Sequence, residues 1–391
     1  MKTRIRHLRT YLLNPIRDLA DHGQRSGVLL LTATLFSLIL SNTGNATGYL
    51  GFWHKSINIS GFDHNVLFWI NDGLMPLFFF LVGTEIKREL LDGELSSFRK
   101  AMLPVVAAVG GMLVPGLIFV VLNFRNPETI HGWAIPTATD IAFSLGILSL
   151  LGRRIPFSLK VFLTALAIID DLGAIIIIAL FYSHDLQLMM LLYGGIVFAL
   201  LIVLNLFRVK NLIPYLLLGI LLWYLILQSG IHPTIAGVLV AFSIPLKQAK
   251  HFENHLHTPV YYFILPFFAL ANTAIPLSLD VTGQIFSGLS LGVIVGLFLG
   301  KPAGIVLATY LMVKSRISHM LKDVSWMQMI GLGLTAGIGF TMSIFISTLS
   351  FSEDNYTNVS KLAIILGSLF SAAAGLLILK NTRISHEVQD N

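Results

Sequence analysis

Residues 132–150 read Gly-Trp-Ala-Ile-Pro-Thr-Ala-Thr-Asp-Ile-Ala-Phe-Ser-Leu-Gly-Ile-Leu-Ser-Leu. A run of about 17–25 apolar residues is what an α-helix needs to cross a bilayer. Here Ile-Pro-Thr-Ala-Thr-Asp, at 135–140, interrupts it. Proline removes a backbone donor and its ring collides with the preceding turn. A charge at the centre of a span costs roughly 2.5–3.5 kcal/mol on the insertion scale. A second interruption of the same kind lies far along the chain, where Ala-Gly-Ile-Gly-Phe-Thr-Met-Ser, at 336–343, places two glycines inside another apolar run. Broken helix at membrane depth is tolerated only where it is buried in protein or lines a cavity. Two such breaks, each beside charge, therefore point to a site.

The composition agrees that the setting is a bilayer. The chain has 391 residues, 55% of them hydrophobic and 12% charged, about half the roughly 25% charge of a soluble domain. Disordered, collagen-like and coiled-coil classes are excluded by the same figures. Cysteine is absent, which removes disulfides, thiolate metal sites and cysteine nucleophiles. The formal charge of +6 fits nucleic acid or membrane topology, and the placement of the basic residues decides between them.

Twelve spans are expected, near 27–41, 66–83, 101–122, 132–150, 157–181, 187–207, 211–228, 231–246, 259–276, 285–313, 326–350 and 359–380. The chain is thus read as one transmembrane domain over 1–391, with no soluble domain appended. With alternate loops assigned to opposite sides, 22 of the 26 Lys and Arg residues fall on one side. The other side holds only Lys55, Arg125 and Lys361, and Lys301 falls inside a span. By the positive-inside rule both termini are cytoplasmic, and nucleic acid has no part in the charge. The basic start and short first span also resemble a cleavable signal peptide, but Asp18 and Asp21 spoil a simple basic n-region, so retention is expected. Segment 44–64 is the longest outside loop. Its alternating stretch around Trp53 to Phe62 fits a small hairpin, with a structureless loop as the alternative.

The two interrupted runs are the middle helices of spans 3–5 and 10–12, sets that begin on opposite sides of the membrane. Paired Gly or Pro breaks in corresponding spans are the sequence pointer to an inverted-repeat transporter, with two broken helices crossing at the midplane. The breaks are expected at Pro136 and Thr137 and at Gly337 and Gly339. Opposed half-helices bring partial charges of both signs together. Asp140 is placed to offset the paired N-termini and Lys301 the paired C-termini. Gly288, Gly292, Gly296, Gly300 and Gly304 recur every four residues through span ten. Such a stripe lets a second backbone approach closely and is read as packing.

Asp140, Asp170, Asp171 and Lys301 all lie near mid-span. Unpaired, the four would cost about 10 kcal/mol on the insertion scale, so they must find one another, an ion, protons or water. Asp170 and Asp171 stand side by side in Ala-Ile-Ile-Asp-Asp-Leu-Gly, 167–173. Adjacent helical residues point about 100° apart, so one lines a cavity while the other reaches a neighbouring helix. Lys301 is the only mid-membrane basic residue. A purely structural ion pair needs one aspartate, not three.

At the cytoplasmic end of span two, Glu85, Lys87, Arg88 and Glu89 occupy about one helical turn. The loop 247–258 carries Lys247, Lys250, His251, Glu253, His255 and His257. A solvated mixed-charge surface and a pH-responsive cluster are equally good readings, since histidine titrates near neutral pH. His232, in Ser-Gly-Ile-His-Pro-Thr, is a weaker candidate that reads first as a hydrogen bond at a helix start.

These strings resemble the NhaA family of sodium/proton antiporters. The resemblance is carried by Ile-Asn-Asp-Gly-Leu-Met (70–75), Glu-Ile-Lys-Arg-Glu-Leu (85–90), Pro-Thr-Ala-Thr-Asp-Ile-Ala-Phe (136–143), Ile-Asp-Asp-Leu-Gly (169–173), Gly-Lys-Pro (300–302) and Gly-Ile-Gly-Phe-Thr-Met-Ser (337–343). They recur in order along nearly the whole chain. NhaA is itself a type example of the inverted-repeat architecture. The resemblance implies that Asp171 is the main sodium-binding carboxylate. It also implies that Asp170 pairs with Lys301 and takes part in proton exchange, and that Thr139 adjoins the site. Asp140 and Lys301 match the charges beside the crossed helices. Glu85, Arg88, Glu89, Lys250, Glu253 and His257 fall where the family has its pH-response cluster. Family members often place a second histidine directly after the acidic residue of that loop; here Asn254 stands there. The resemblance further implies a homodimer joined through an outer β-hairpin, which 44–64 can supply.

The expected activity is electrogenic, pH-regulated export of Na+ or Li+ in exchange for H+ across a bacterial inner membrane. Both are hard cations that prefer oxygen ligands, here Asp171, Asp170 and Thr139. A carboxylate holds either the cation or a proton, and the site changes sides only when loaded. No enzymatic step, cofactor or nucleotide is called for, and no phosphate-binding loop is present. Two rival classes are weaker. An intramembrane aspartyl protease wants facing aspartates, usually with a Gly-x-Gly-Asp string, which the chain lacks. A passive sodium channel leaves the paired breaks without a purpose.

Overall fold

The computed structural model describes residues 25–59, 61–183 and 185–382. The basic residues of the N-terminal arm before Arg25, with Asp18, Asp21 and Arg383, lie outside the described residues. Seven described helices are long and apolar enough to cross a membrane: Val66–Asp92, Phe98–Asn123, Ile130–Leu150, Phe157–Phe181, Leu188–Leu206, Gly288–Lys314 and Asp354–Asn381. The pair Trp326–Ala336 and Phe340–Ser350, bent by 45°, makes an eighth. Three shorter apolar helices, Arg25–Leu40, Ile213–Gln228 and Thr234–Ser243, and a helical run over 246–272 occupy the places of the other four expected spans. The fold is that of an all-α polytopic membrane protein, and a count of twelve depends on these four shorter elements. Large apolar side chains face outward along whole helices, as at Leu188, Leu192, Ile196 and Leu200. Contiguous exposed apolar surface of this kind marks a membrane interface rather than a water-facing one.

Strands are confined, among the described residues, to one antiparallel hairpin, Ser56–Ile59 with Phe62–Asn65, Ser56 lying opposite Asn65. Its turn uses Gly61 at φ +92°, a left-handed conformation that favours glycine, and the Asn58 side chain accepts from the Gly61 N–H at 3.0 Å. The expected hairpin thus lies three residues further along than Trp53, which instead ends the helix Ala46–Trp53.

The chain divides into two compact units. Among the described residues, one holds 25–31, Ser97–Asp170 and 278–382; the other holds Thr32–Ser96 and Asp171–Leu277. In the first, the glycine stripe of Gly288–Lys314 lies against Phe98–Asn123. The approach is closest at Gly304, where an added Cβ would sit 2.1 Å from the Gly110 carbonyl oxygen. A backbone oxygen cannot swing aside as a side chain can. Gly304→Val is therefore expected to cost at least the 1–3 kcal/mol typical of overpacking, read as a fall in melting temperature in detergent. An unchanged melting temperature would show that the two helices do not meet there. In the second unit the same device joins Val66–Asp92 to Thr234–Ser243: a Cβ on Gly237 would sit 2.1 Å from the Pro76 carbonyl oxygen. Leu201, Tyr215, Leu222, Ala236 and Ala241 form part of its core.

Three π-helical turns, Trp69–Leu74, Val260–Ile264 and Gly296–Gly300, share a cause. Each ends two residues before a proline: Pro76, Pro266 and Pro302. Proline cannot donate to the carbonyl four residues back and its ring crowds that carbonyl. A widened turn relieves both problems without breaking the helix. The turn before Lys301 also rephases its helix just ahead of the lysine.

Candidate functional site

The site is built in the first unit, from the two interrupted helices outward. Ile130–Thr137 is wound as a tight 3-10 helix containing Pro136; the chain then runs extended through Ala138 to Asp140, which caps Ile141–Leu150. In the second break, Trp326–Ala336 starts from a capping box between Ser325 and Gln328 and stops at Gly337, and Phe340–Ser350 begins after Gly339.

Hydrogen bonds join the breaks. The Asp140 N–H donates to the Ile338 carbonyl at 2.7 Å. Ser144 Oγ donates to the Thr335 carbonyl and Ser343 Oγ to the Ile135 carbonyl, both at 2.7 Å. Each of these serines stands three residues into its half-helix and reaches a carbonyl near the end of the opposite one. This near-symmetric exchange satisfies carbonyls that a helix end leaves orphaned.

Asp140 serves two N-termini at once. Its Oδ1 accepts from the Phe143 N–H at 3.0 Å, and its Oδ2 accepts from the Thr341 N–H at 3.1 Å and Thr341 Oγ at 2.5 Å. Negative charge is favoured at such ends by the helix dipole. Lys301, fully buried, does the converse. Its Nζ donates to the Thr137 carbonyl, at the end of the 3-10 segment, and lies 2.7 Å from Asp170 Oδ2.

Asp170 Oδ2 also lies 2.6 Å from Thr139 Oγ, which is in turn 2.9 Å from the Ala336 carbonyl. A hydroxyl has one proton to give, so it can serve one of these acceptors at a time. Asp170 Oδ1 is buried without a hydrogen-bond partner. Asp171, one residue on and about 100° round the helix, is the first residue of the second unit on that helix and is also buried.

The charged groups expected at the cytoplasmic end belong to the second unit. Arg88 pairs with Glu253 at 3.1 Å and with Glu89 at 2.9 Å. Burial pushes the Glu253 carboxyl above the usual range, with Arg88 pulling it back. Glu85 is buried one turn before Glu89. Lys250 pairs with Asp92 at 2.8 Å, a partner the sequence reading missed. The His257 ring lies against Tyr261 on the continuing helix, 4.4 Å between centroids. Lys87 is buried and donates to the Phe242 carbonyl at 2.6 Å and to that of Ile244, capping Thr234–Ser243. His232 stands apart from this cluster. Its Nε2 lies 3.1 Å from Asp72 Oδ1 and its Nδ1 2.8 Å from Thr234 Oγ1, and Asp72 is about 24 Å from Arg88 along their common helix.

Sequence alone assigns no role to Thr341, Ser144, Ser343 or Asp92. The signal is present in part, since Ser144 and Ser343 each stand three residues after the first residue of a half-helix, Ile141 and Phe340.

A profile of the family described as Na+/H+ antiporter 1 matches residues 17–379. The chain belongs to the Na+/H+ antiporter 1 family. It is 46% identical over 381 residues to a protein of Flavobacterium psychrophilum named Na(+)/H(+) antiporter NhaA, covering 95% of this chain and 98% of that one. Identity to Na(+)/H(+) antiporter NhaA 2 of Flavobacterium johnsoniae is 50% over 368 residues, 91% of this chain and 90% of that one. An Escherichia coli relative, also named Na(+)/H(+) antiporter NhaA, is 46% identical over 362 residues, 89% and 93% of the two chains. Family membership and the apolar helices together make this a multi-pass membrane protein and not an enzyme. The joined breaks and the Asp140, Asp170 and Lys301 cluster lie inside the stretch that matches the Na+/H+ antiporter 1 family.

Proposed function

We infer that this protein is a sodium/proton antiporter that exports Na+, or Li+, and takes up H+. The observation that carries the reading is a buried carboxylate, Asp170, shared between Lys301 and Thr139 beside two joined helix breaks. Asp171 and Asp170 are the ion- and proton-binding carboxylates, and Thr139 contributes its oxygen. Protonated, Asp170 donates to Thr139, whose own proton then goes to the Ala336 carbonyl. Ionised, Asp170 accepts from Thr139 and Lys301. A cation at Asp171 competes with a proton for negative charge, because each lowers the affinity for the other. The site changes sides only when loaded, and more than one proton enters per sodium, which makes exchange electrogenic. Asp140 and Lys301 hold the opposed helix ends at Pro136 and Thr137 and at Gly337 and Gly339. Glu85, Arg88, Glu89, Lys250, Glu253 and His257 form the pH-responsive cluster, with His232 a separate contributor.

The setting proposed is the bacterial inner membrane, with twelve spans in one transmembrane domain, both termini cytoplasmic, and a homodimer joined through the Ser56–Asn65 hairpin. The deciding measurement is dequenching of a pH dye in energised vesicles on adding sodium, lithium or potassium across a pH range. Sodium and lithium are expected to release protons in a pH-dependent way and potassium is not. Sodium flux that moves no protons would replace this reading with a passive channel.

A further inference from the structure

The half-helix Phe340–Ser350 begins without a capping side chain of its own, since Gly339 stands at the N-cap position. A helix start leaves orphan N–H donors, and in a buried site each requires an acceptor. Two acceptors come from elsewhere in the same unit. Asp140 Oδ2 takes the Thr341 N–H. Ser368 Oγ, on the last helix Asp354–Asn381, takes the Phe340 N–H at 3.2 Å. One turn further along that helix, Ser371 faces the same break. Its Oγ would lie 3.0 Å from a Cβ on Gly337, yet it is buried with no hydrogen-bond partner. Two buried serines thus flank one break, and only Ser368 holds a backbone donor there.

We propose that Ser368 is a positioning residue for cation binding, its hydroxyl standing in for the missing N-cap and holding the half-helix start against the Asp140 carboxylate. The inference rests on the antiporter reading above. Asp140 Oδ2 already serves the Thr341 N–H and hydroxyl. Without Ser368, the Phe340 N–H must be drawn toward the same oxygen or stay unsatisfied. The first outcome moves Asp140, and with it the adjoining Thr139, whose Oγ touches Asp170; the second leaves a bare donor at the helix start. The uncompensated N–H also adds positive partial charge at the helix start, which disfavours a cation nearby.

The test compares wild type, Ser368→Ala, Ser368→Thr and Ser371→Ala in proteoliposomes, reading the KM for sodium, the maximal exchange rate and the melting temperature. Ser368→Ala is expected to raise the sodium KM about three- to tenfold, the scale of one neutral hydrogen bond, with maximal rate little changed and a modest fall in melting temperature because the Phe340 N–H loses its acceptor. Ser368→Thr keeps the hydroxyl and restores the KM; Ser371→Ala behaves as wild type. A wild-type KM in Ser368→Ala, a loss of rate alone, a threonine variant as impaired as alanine, or equal KM shifts at both serines each overturns the proposal while the antiporter reading stands. Absence of sodium/proton exchange in wild type overturns that reading, and this inference falls with it.

Discussion

Asp171→Asn is expected to abolish the sodium-dependent collapse of an imposed proton gradient in proteoliposomes. Asparagine keeps the size and one oxygen of the side chain but carries neither the charge nor the exchangeable proton. A unit charge about 4 Å from a cation is worth roughly 4 kcal/mol at the effective dielectric of a partly screened protein site. That is about a thousandfold in cation affinity. The deficit is larger in consequence than in affinity, because the proton half of the exchange loses its carrier too. The variant should fold, since a neutral group is cheaper to bury than a carboxylate. Full exchange by a folded Asp171→Asn protein would remove Asp171 from its assigned role and with it the competition mechanism.

The second large effect is on stability. Lys301→Ala is expected to destabilise the protein by about 3–5 kcal/mol, the cost of breaking a buried ion pair from one side. Two groups lose their partner at once: Asp170 Oδ2, 2.7 Å from the ammonium, and the Thr137 carbonyl at the end of its half-helix. The measurement is the melting temperature in detergent. Adding Asp170→Asn to Lys301→Ala is expected to recover part of the loss, because the stranded charge is then gone, and the two changes should be strongly non-additive. Some transport is expected to remain in Lys301→Ala, since Asp171 is untouched. An unchanged melting temperature would show that Lys301 does not hold the crossed helices.

Much of the site was legible along the chain because the cost of a charge in hydrocarbon is a local property. Asp140, Asp170, Asp171 and Lys301 stand out from apolar neighbours without any knowledge of the fold. The breaks at 135–140 and 336–343 are legible for a similar reason, since proline and glycine act on their own turn. The π-helical turns were missed, although the prolines that cause them were in view. Whether a proline breaks, kinks or widens a helix depends on what packs against it. Lys87 was read as part of a cytoplasmic charge cluster; it is instead buried and caps a helix distant in sequence. Its charge was visible, but the carbonyls it meets were not.

Residue order is enough to read the solvent, the positions of the apolar runs, and the four charges that a bilayer would otherwise reject. Hydropathy and helix breaking are summed over neighbouring residues, so a one-dimensional reading suffices. The tertiary structure alone decided which groups those charges meet. Lys301 reaches both Asp170 and the Thr137 carbonyl, Asp140 serves the starts of two half-helices, and Ser368 completes the second of them. A hydrogen bond requires atoms within about 3 Å and in line, and between residues far apart in the chain only the packing of the helices sets that distance.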